Sequence, residues 1–223
     1  MYEKFGQFID GNWSPSSNKE TYEVINPATE EVLGHASKAT SVDVDKALKS
    51  AEKGLKVWKK ITPWERSYVL RRIADKLREK KDLLAKWMTL ENGKPLAEGV
   101  GETNGAADIF EWNAEETKRI FGQTIESRFE DTRVHVYYQP VGVVAALSPW
   151  NFPLILAARK ISTALAAGCS VIIKPDTITP GVVMELVDIC RECGVPPGAV
   201  NLLSGDPPSI ASQLIQSDIV KKI

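Results

Sequence analysis

The segment 141–180 constrains the fold of this chain more than any other part of its sequence. Two short apolar runs, residues 141–147 and 170–173, have the composition of strands that are buried on both faces. Between them, residues 154–167 follow a helical pattern of alanine and leucine, and Gly168 can end that helix. Two strands joined by one helix form a βαβ crossover, so the sequence predicts an α/β fold with a parallel sheet covered on both faces.

Polar residues follow each predicted strand directly. Ser148, Trp150 and Asn151 come after the first strand, and Lys174 and Asp176 come after the second. Ligands of parallel α/β sheets bind beyond the carboxyl ends of the strands. We therefore expect these side chains to border one crevice.

A third unit follows the first two. Residues 180–193 have a helical pattern, residues 199–203 have a strand pattern, and Ser204, Gly205 and Asp206 come next. The sequence thus predicts three strand ends that converge on the same crevice.

Composition excludes several classes of function. The 28 basic and 29 acidic residues leave a net charge of −1, which argues against nucleic acid or an anionic membrane as a partner. The chain has no apolar run that could span a bilayer and no signal-type segment, so a cytoplasmic location is expected. Two histidines and three cysteines make a metal site improbable, and Cys190 and Cys193 fit a buried helix face better than a redox motif.

The remaining sequence predicts short strands and long helices. Residues 6–34 alternate like strands, and helices are expected over 42–59, from Thr62 to Glu91, and over 98–121. Residues 132–140 alternate in a strand pattern that the sequence alone leaves as an exposed strand, and such an edge favours a partner.

Six motifs at these spacings resemble the NAD(P)-dependent aldehyde dehydrogenases. They are FIDGNW (8–13), INPATEEVLG (25–34), ENGKPLAE (91–98), PWNFP (149–153), AAGCSVIIKP (166–175) and NLLSG (201–205). The resemblance covers essentially the whole chain. It implies a variant Rossmann sheet, which accounts for the lack of a Gly-x-Gly-x-x-Gly loop after the first strand.

The resemblance also implies a division of the chain. Residues 1–131 would be the N-terminal strands and helices of the cofactor-binding domain, 132–140 an oligomerisation strand, and 141–223 a Rossmann-like portion that is incomplete at its C-terminal end. The domain that carries the catalytic cysteine would lie outside this sequence. The full-length protein would form a homodimer or homotetramer.

Six residues match positions that line the cofactor in that family: Ser148, Pro149, Trp150, Lys174, Thr177 and Gly205. The matching lysine bonds the adenosine ribose, whereas without the motif Lys174 is equally well a surface lysine. Thr177 stands where strictly NAD-using members commonly have a glutamate. Because a carboxylate would repel a 2′-phosphate and a threonine would not, we expect NADP or NAD as cofactor, with NADP accepted.

Three residues match the family's reaction and substrate positions. Asn151 matches the amide donor to the oxyanion, although a turn residue that caps the next helix is the simpler interpretation. Phe152 matches a residue of the substrate tunnel, with a core aromatic as the alternative. Arg159 matches an arginine that holds a substrate carboxylate in succinate-semialdehyde dehydrogenases, and residues 110–122 also resemble that group; a salt-bridged surface arginine is the alternative.

The family's nucleophilic cysteine and general-base glutamate have no match, since Cys169, Cys190 and Cys193 lie at other positions. The whole enzyme would attack an aldehyde with a thiolate, pass a hydride to the nicotinamide and hydrolyse a thioester. We therefore expect an N-terminal part of an aldehyde dehydrogenase, acting on succinate semialdehyde when whole and inactive alone. The alternatives are a dehydrogenase of lactaldehyde or another small polar aldehyde, and a non-catalytic short form that binds nucleotide or supports assembly.

Overall fold

A computed structural model describes residues 2–223 of the chain. Its strands are β1 (Gln7–Ile9), β2 (Asn12–Ser14), β3 (Thr21–Ile25), β4 (Val32–Ser37), β5 (Gln123–Glu126), β6 (Arg133–Val136), β7 (Val143–Leu147), β8 (Ser170–Lys174), β9 (Val200–Leu202) and β10 (Val220–Lys222). Its α-helices are α1 (Ser41–Trp58), α2 (Pro63–Glu79), α3 (Lys81–Asn92), α4 (Leu96–Glu116), α5 (Pro153–Ala166), α6 (Pro180–Glu192) and α7 (Pro207–Gln216).

The main sheet has six strands in the order β10-β7-β8-β9-β1-β2. Strands β10, β7, β8 and β9 are parallel, which confirms the predicted α/β fold with a parallel sheet. The fourth parallel strand, β10, consists of three residues and ends one residue before Ile223. The N-terminal hairpin β1–β2 joins the sheet antiparallel to β9, so the sheet is mixed, which the sequence did not predict.

The two faces of the sheet have separate apolar layers. Val171 and Ile173 of β8 point into the larger core, which α5 and α6 cover together with α2, α3 and α4. Ile172 points to the opposite face and packs with residues of α1 and α7. Since successive side chains of a strand alternate between faces, a fully apolar strand needs helices on both sides, and this explains the composition of β8.

The predicted helix from Thr62 to Glu91 is two helices. The backbone leaves the helical region at Lys80, where φ is −91° and ψ is 12°, and α3 starts at the next residue. Leu77 and Leu84 keep the apolar spacing across this break, so the sequence pattern does not reveal it. Thr62 caps α2 through a capping box with Glu65.

Several other predicted elements are shorter than expected. The helix predicted over 98–121 starts at Leu96 and ends at Glu116, after which Thr117–Arg119 form a 3₁₀ turn. Only Arg133–Val136 of the segment 132–140 forms a strand, and it pairs antiparallel with β5 as a separate hairpin. The first sheet strand begins at Val143 instead of Val141.

The structure bears on three expectations from the sequence, which concern the cysteines, a metal site and a membrane-spanning helix. Cys190 and Cys193 are buried, as expected for that helix face, and so is Cys169. No cluster of three or more His, Cys, Asp or Glu side chains with metal-binding geometry occurs within residues 2–223. In the same range, no helix is both long enough and apolar enough to cross a membrane.

Glu91, a buried residue of α3, caps the start of α6. Its two carboxylate oxygens accept hydrogen bonds from the N–H groups of Gly181 (2.7 Å) and Val182 (3.3 Å), and the Tyr2 hydroxyl donates a third. The two N–H groups are among the backbone donors that have no partner within the helix at its start. Burial nevertheless outweighs the three donors and raises the pKa of Glu91 to about 7.

This pKa predicts a measurable pH dependence of stability. Between pH 4.5 and about 7 the folded chain holds a proton that the unfolded chain has released, so the free energy of unfolding falls as the pH rises, by up to roughly 1.4 kcal/mol per pH unit. Glu91→Gln cannot titrate and removes this slope. Urea unfolding at several pH values measures it, with the exposed Glu98→Gln as the control. Equal slopes for the unmodified chain and Glu91→Gln would contradict the assignment.

Candidate functional site

The strand order creates a crevice at the end of β7. After β7 the chain continues to β8 and β9 on one side, and then returns to form β10 on the other side of β7. Such a reversal is a topological switch point, where open α/β sheets bind ligands beyond the carboxyl ends of their strands. The residue that follows β7 at this point is Ser148.

Ser148 and Lys174 form the floor of this crevice. The backbone N–H of Ser148 donates to the Lys174 carbonyl (3.1 Å), so the ends of β7 and β8 stay in register beyond the strands. Ser148 is 6% exposed, and its hydroxyl has no hydrogen-bond partner within residues 2–223. It is therefore a buried polar group without a partner at the carboxyl end of β7.

Lys174 is not a surface lysine, because it is only 4% exposed. Within the described residues 2–223, its ammonium group forms neither an ion pair nor a hydrogen bond. Burial therefore lowers the pKa of Lys174, against the weaker opposing effect of Asp176 and Asp206. A buried cation without a counter-ion is a ready partner for a polar or anionic ligand.

The other predicted cofactor residues lie around this floor. Thr177 is half-buried in the turn after β8, while Pro149 is exposed and Trp150 is 51% exposed. Gly205 follows β9 and is buried with φ at +143°. A Cβ atom there would lie 2.8 Å from the Ala39 nitrogen, so a close backbone approach already requires glycine at this position.

Asn151 and Phe152 are exposed at the rim, between β7 and α5. The interpretation of Asn151 as a helix cap is wrong, because the N-cap residue of α5 is Phe152. The Phe152 side chain makes no capping hydrogen bond. The side-chain amide of Asn151 therefore does not cap α5. Phe152 is 50% exposed, which also removes the core-aromatic interpretation.

The helix start is capped instead by Glu102 of α4. Its Oε1 accepts the N–H groups of Leu154 (2.9 Å) and Ile155 (3.1 Å), and its Oε2 pairs with the buried ammonium of Lys94. A carboxylate at a helix N-terminus satisfies two orphan donors and interacts favourably with the helix dipole.

Arg159 lies on the exposed side of α5 and has no carboxylate within 4.0 Å among residues 2–223, so the salt-bridge interpretation is not supported. It lines an open, mainly apolar groove of about 450 Å³ between α5 and β7. Leu147 and Thr163 share this lining, whereas Asn151 and Phe152 do not. The groove that Arg159 lines therefore does not include Asn151.

Sequence reasoning missed the roles of Glu91, Lys94 and Glu102. The first two belong to the ENGKPLAE motif, which served only as a marker of resemblance. The available signal was chemical: Lys94, Glu102 and Glu91 are charged residues at positions that helical packing would bury, and almost no charged residue is buried without a partner.

Comparisons with known proteins agree with this geometry. The sequence profile described as "Aldehyde dehydrogenase family" matches residues 13–223. The chain belongs to the aldehyde dehydrogenase family. It is 41% identical over 216 residues to the glutarate-semialdehyde dehydrogenase of Pseudomonas putida, which covers 97% of this chain and 45% of the relative. It is 40% identical to the NADP(+) succinate-semialdehyde dehydrogenase of Escherichia coli, with 96% and 45% covered.

Solved structures give the same result for the fold. The crystal structure of succinate-semialdehyde dehydrogenase from Burkholderia pseudomallei superimposes with a TM-score of 0.95 at 38% identity, covering 97% of this chain and 45% of that one. The chain therefore corresponds to the N-terminal portion of these aldehyde dehydrogenases and spans about half the length of the relatives it matches. The predicted family and its nearest group are confirmed.

The aldehyde dehydrogenases are oxidoreductases that use NAD(P), and the residues at the switch point fit such a group. The Ser148 hydroxyl is a buried polar atom without a partner, and Lys174 is a buried cation without a counter-ion. A ribose or phosphate oxygen would satisfy both groups. Ser148 and Lys174 would hold the nucleotide end of the cofactor.

Proposed function

We propose that this chain forms the nucleotide-binding part of an aldehyde dehydrogenase that oxidises a small aldehyde bearing a carboxylate, succinate semialdehyde first, with NADP or NAD. The observation that carries the proposal is that two polar side chains at neighbouring strand ends, the Ser148 hydroxyl and the Lys174 ammonium, are almost unexposed and have no partner within residues 2–223. Charged groups are buried without a partner at great cost, so such a pair supports a polar ligand at this place.

Each side chain has a separate task in this proposal. When bound, the nicotinamide cofactor accepts a hydride from the substrate. Lys174 donates to the ribose, and the Trp150 ring screens the site from solvent. Asn151 donates its side-chain amide to the substrate oxygen as that oxygen becomes negative. The catalytic cysteine and the general base would come from a part of the protein outside this sequence, so the chain alone would have no turnover.

Arg159 and Phe152 are proposed to bind the substrate. The Arg159 guanidinium has no carboxylate partner among residues 2–223 and can therefore make two parallel bonds to a substrate carboxylate. The relatives named above support a dicarboxylic semialdehyde, since one acts on glutarate semialdehyde and the other on succinate semialdehyde. Arg159→Ala in the whole enzyme should weaken turnover of the charged aldehyde and leave a neutral aldehyde unaffected, and that pattern separates this proposal from lactaldehyde oxidation.

The hairpin of β5 and β6 is proposed to pair subunits, and a homodimer or homotetramer is proposed for the whole enzyme. Both strands form a sheet of their own, and the large apolar side chains Phe121, Tyr137 and Tyr138 beside them are exposed. An exposed hairpin with apolar flanks is a ready template for pairing with a second chain. The same surface would serve a non-catalytic assembly form, in which case the native protein would end near residue 223.

A titration of the 223-residue chain with NADP and with NAD, followed by tryptophan fluorescence, tests the proposal. Saturable binding is expected, and Trp150, which follows Ser148 by two residues, should report it. Lys174→Met keeps the length of the side chain and removes the cation. It should weaken binding by about 10- to 100-fold, as expected for the loss of a charged hydrogen bond.

The control for this substitution is Lys86→Met, which changes an exposed lysine of α3. Thr177→Glu tests the cofactor choice, since a carboxylate there should weaken NADP binding much more than NAD binding. No binding by the folded, unmodified chain would refute the nucleotide-binding proposal, and NAD bound far more tightly than NADP would refute the role of Thr177.

A further inference from the structure

We propose that Lys94 and Glu102 are positioning residues for Asn151, because this buried ion pair fixes the loop that presents the Asn151 amide to the substrate. The inference rests on the proposed function for the role of Asn151. It rests only on the structure for the contacts.

Lys94 holds the loop from one side. Its ammonium donates to the backbone carbonyl of Asn151 (3.2 Å) and lies over the Phe152 ring, 4.2 Å from the ring centroid. One cation therefore contacts two consecutive residues of the loop. The side chain is buried, so water does not compete for these contacts, and a cation over an aromatic face is then held more strongly than at an exposed site.

Glu102 holds the same loop from the other side. It accepts the N–H groups of Leu154 and Ile155, the second and third residues of α5, and its other oxygen neutralises Lys94. The loop is thus fixed at Asn151 and again three residues later. Asn92 adds a third contact, since its amide donates to the Trp150 carbonyl (3.0 Å).

The Asn151 side chain itself is left free by this arrangement. The hydrogen bond from Lys94 goes to the backbone carbonyl of Asn151, and the cap position that an asparagine could occupy is taken by Glu102. A donor that must point at a developing charge works best when its backbone is rigid and its amide is unoccupied. The buried pair supplies both conditions, whereas a helix capped by Asn151 would supply neither.

Nuclear magnetic resonance of the 223-residue chain tests the first half of the proposal. The readouts are the side-chain amide signals of Asn151 and the fluorine signal of a 5-fluorotryptophan at Trp150. Lys94→Met and Glu102→Gln should shift and broaden these signals while the fluorine signal of Trp58, the buried last residue of α1, stays unchanged. Lys94→Arg keeps the charge and should restore a spectrum close to that of the unmodified chain.

The controls are Lys86→Met and Glu98→Gln, which alter exposed charges of α3 and α4. Unchanged Asn151 and Trp150 signals in both Lys94→Met and Glu102→Gln would overturn the proposal, and so would a change that reaches Trp58 equally. Dinucleotide binding is measured on the same samples. Its absence everywhere would refute the proposed function, whereas the spectra would still decide whether the pair fixes the loop.

A double-mutant cycle in the whole enzyme tests the second half. Glu102→Gln should lower kcat by about 10- to 100-fold, as expected for a displaced catalytic group, with KM for the dinucleotide nearly unchanged. If Glu102 acts through Asn151, the same substitution should cost little more in an Asn151→Ala background. Additive losses would show that Glu102 acts on turnover independently of Asn151 and would overturn the positioning role.

Discussion

Asn151→Ala should lower kcat of the whole dehydrogenase by on the order of 100-fold or more, with little change in dinucleotide affinity. The removed amide would otherwise donate to the oxygen that becomes negative in the transition state, and such donors act on the reaction far more than on ground-state binding. The structure supports this direction, because Asn151 is exposed at the rim of the crevice and does not cap α5. Steady-state kinetics of the purified enzyme measure the effect.

The matched control is Asn104→Ala, an exposed asparagine of α4 that lies outside the loop. It should leave both kcat and KM near their original values. A purely structural role for Asn151 predicts a different result, in which the substitution lowers the melting temperature and reduces the amount of active enzyme without changing kcat per active site. That outcome would remove Asn151 from the catalytic group.

Gly54→Ala should destabilise the chain by about 3 kcal/mol or more, at the upper end of the effects of overpacking. Helix α1 crosses the turn before β9 at this point, and an added Cβ atom would lie 2.0 Å from the Gly198 carbonyl carbon and 2.3 Å from the Ala199 nitrogen. Both neighbours are backbone atoms of the core, so no side chain can move aside. Gly198 has φ at +80°, which restricts its own replacement as well.

Gly101→Ala provides the control for this experiment. Gly101 lies inside α4, and nothing is within 4 Å of the position that its Cβ atom would take. Alanine there should stabilise the helix by about 0.5–1 kcal/mol. Urea unfolding of both variants compares one helical glycine that is required by a close approach with another that is not. Equal effects in the two variants would contradict the account of Gly54.

The sequence predicted the parallel core of the sheet because its signal is local. Strands β7 and β8 are short apolar runs, and the polar residues directly after them, Ser148 and Lys174, lie together as expected. Strand ends in a βαβ unit converge through topology alone, so no distance had to be known. The burial of Lys174 was not predictable in the same way, because it depends on what covers the end of β8.

The features that the sequence did not predict depend on contacts between distant residues. Capping of α5 by Glu102 and of α6 by Glu91 joins elements that are 52 and 90 residues apart in the chain. Local rules for helix starts search for the cap within the preceding few residues, where α5 and α6 have none. Asn151 is the nearest residue of a capping type before α5, so such a rule selects it as the cap.

The pairing of β1 with β9 has a consequence for the order in which the chain folds. The Gln7 amide donates to the Ser204 carbonyl across 197 residues of chain, and its own carbonyl oxygen accepts the Ser204 N–H. Loops of that length close slowly relative to helices, and a ribosome delivers the N-terminal residues first. The edge of β1 that pairs with β9 therefore has no partner until nearly all of residues 2–204 have left the ribosome, although β1 and β2 can pair with each other much earlier. During synthesis, the β1–β2 hairpin is among the last parts of the sheet to be added.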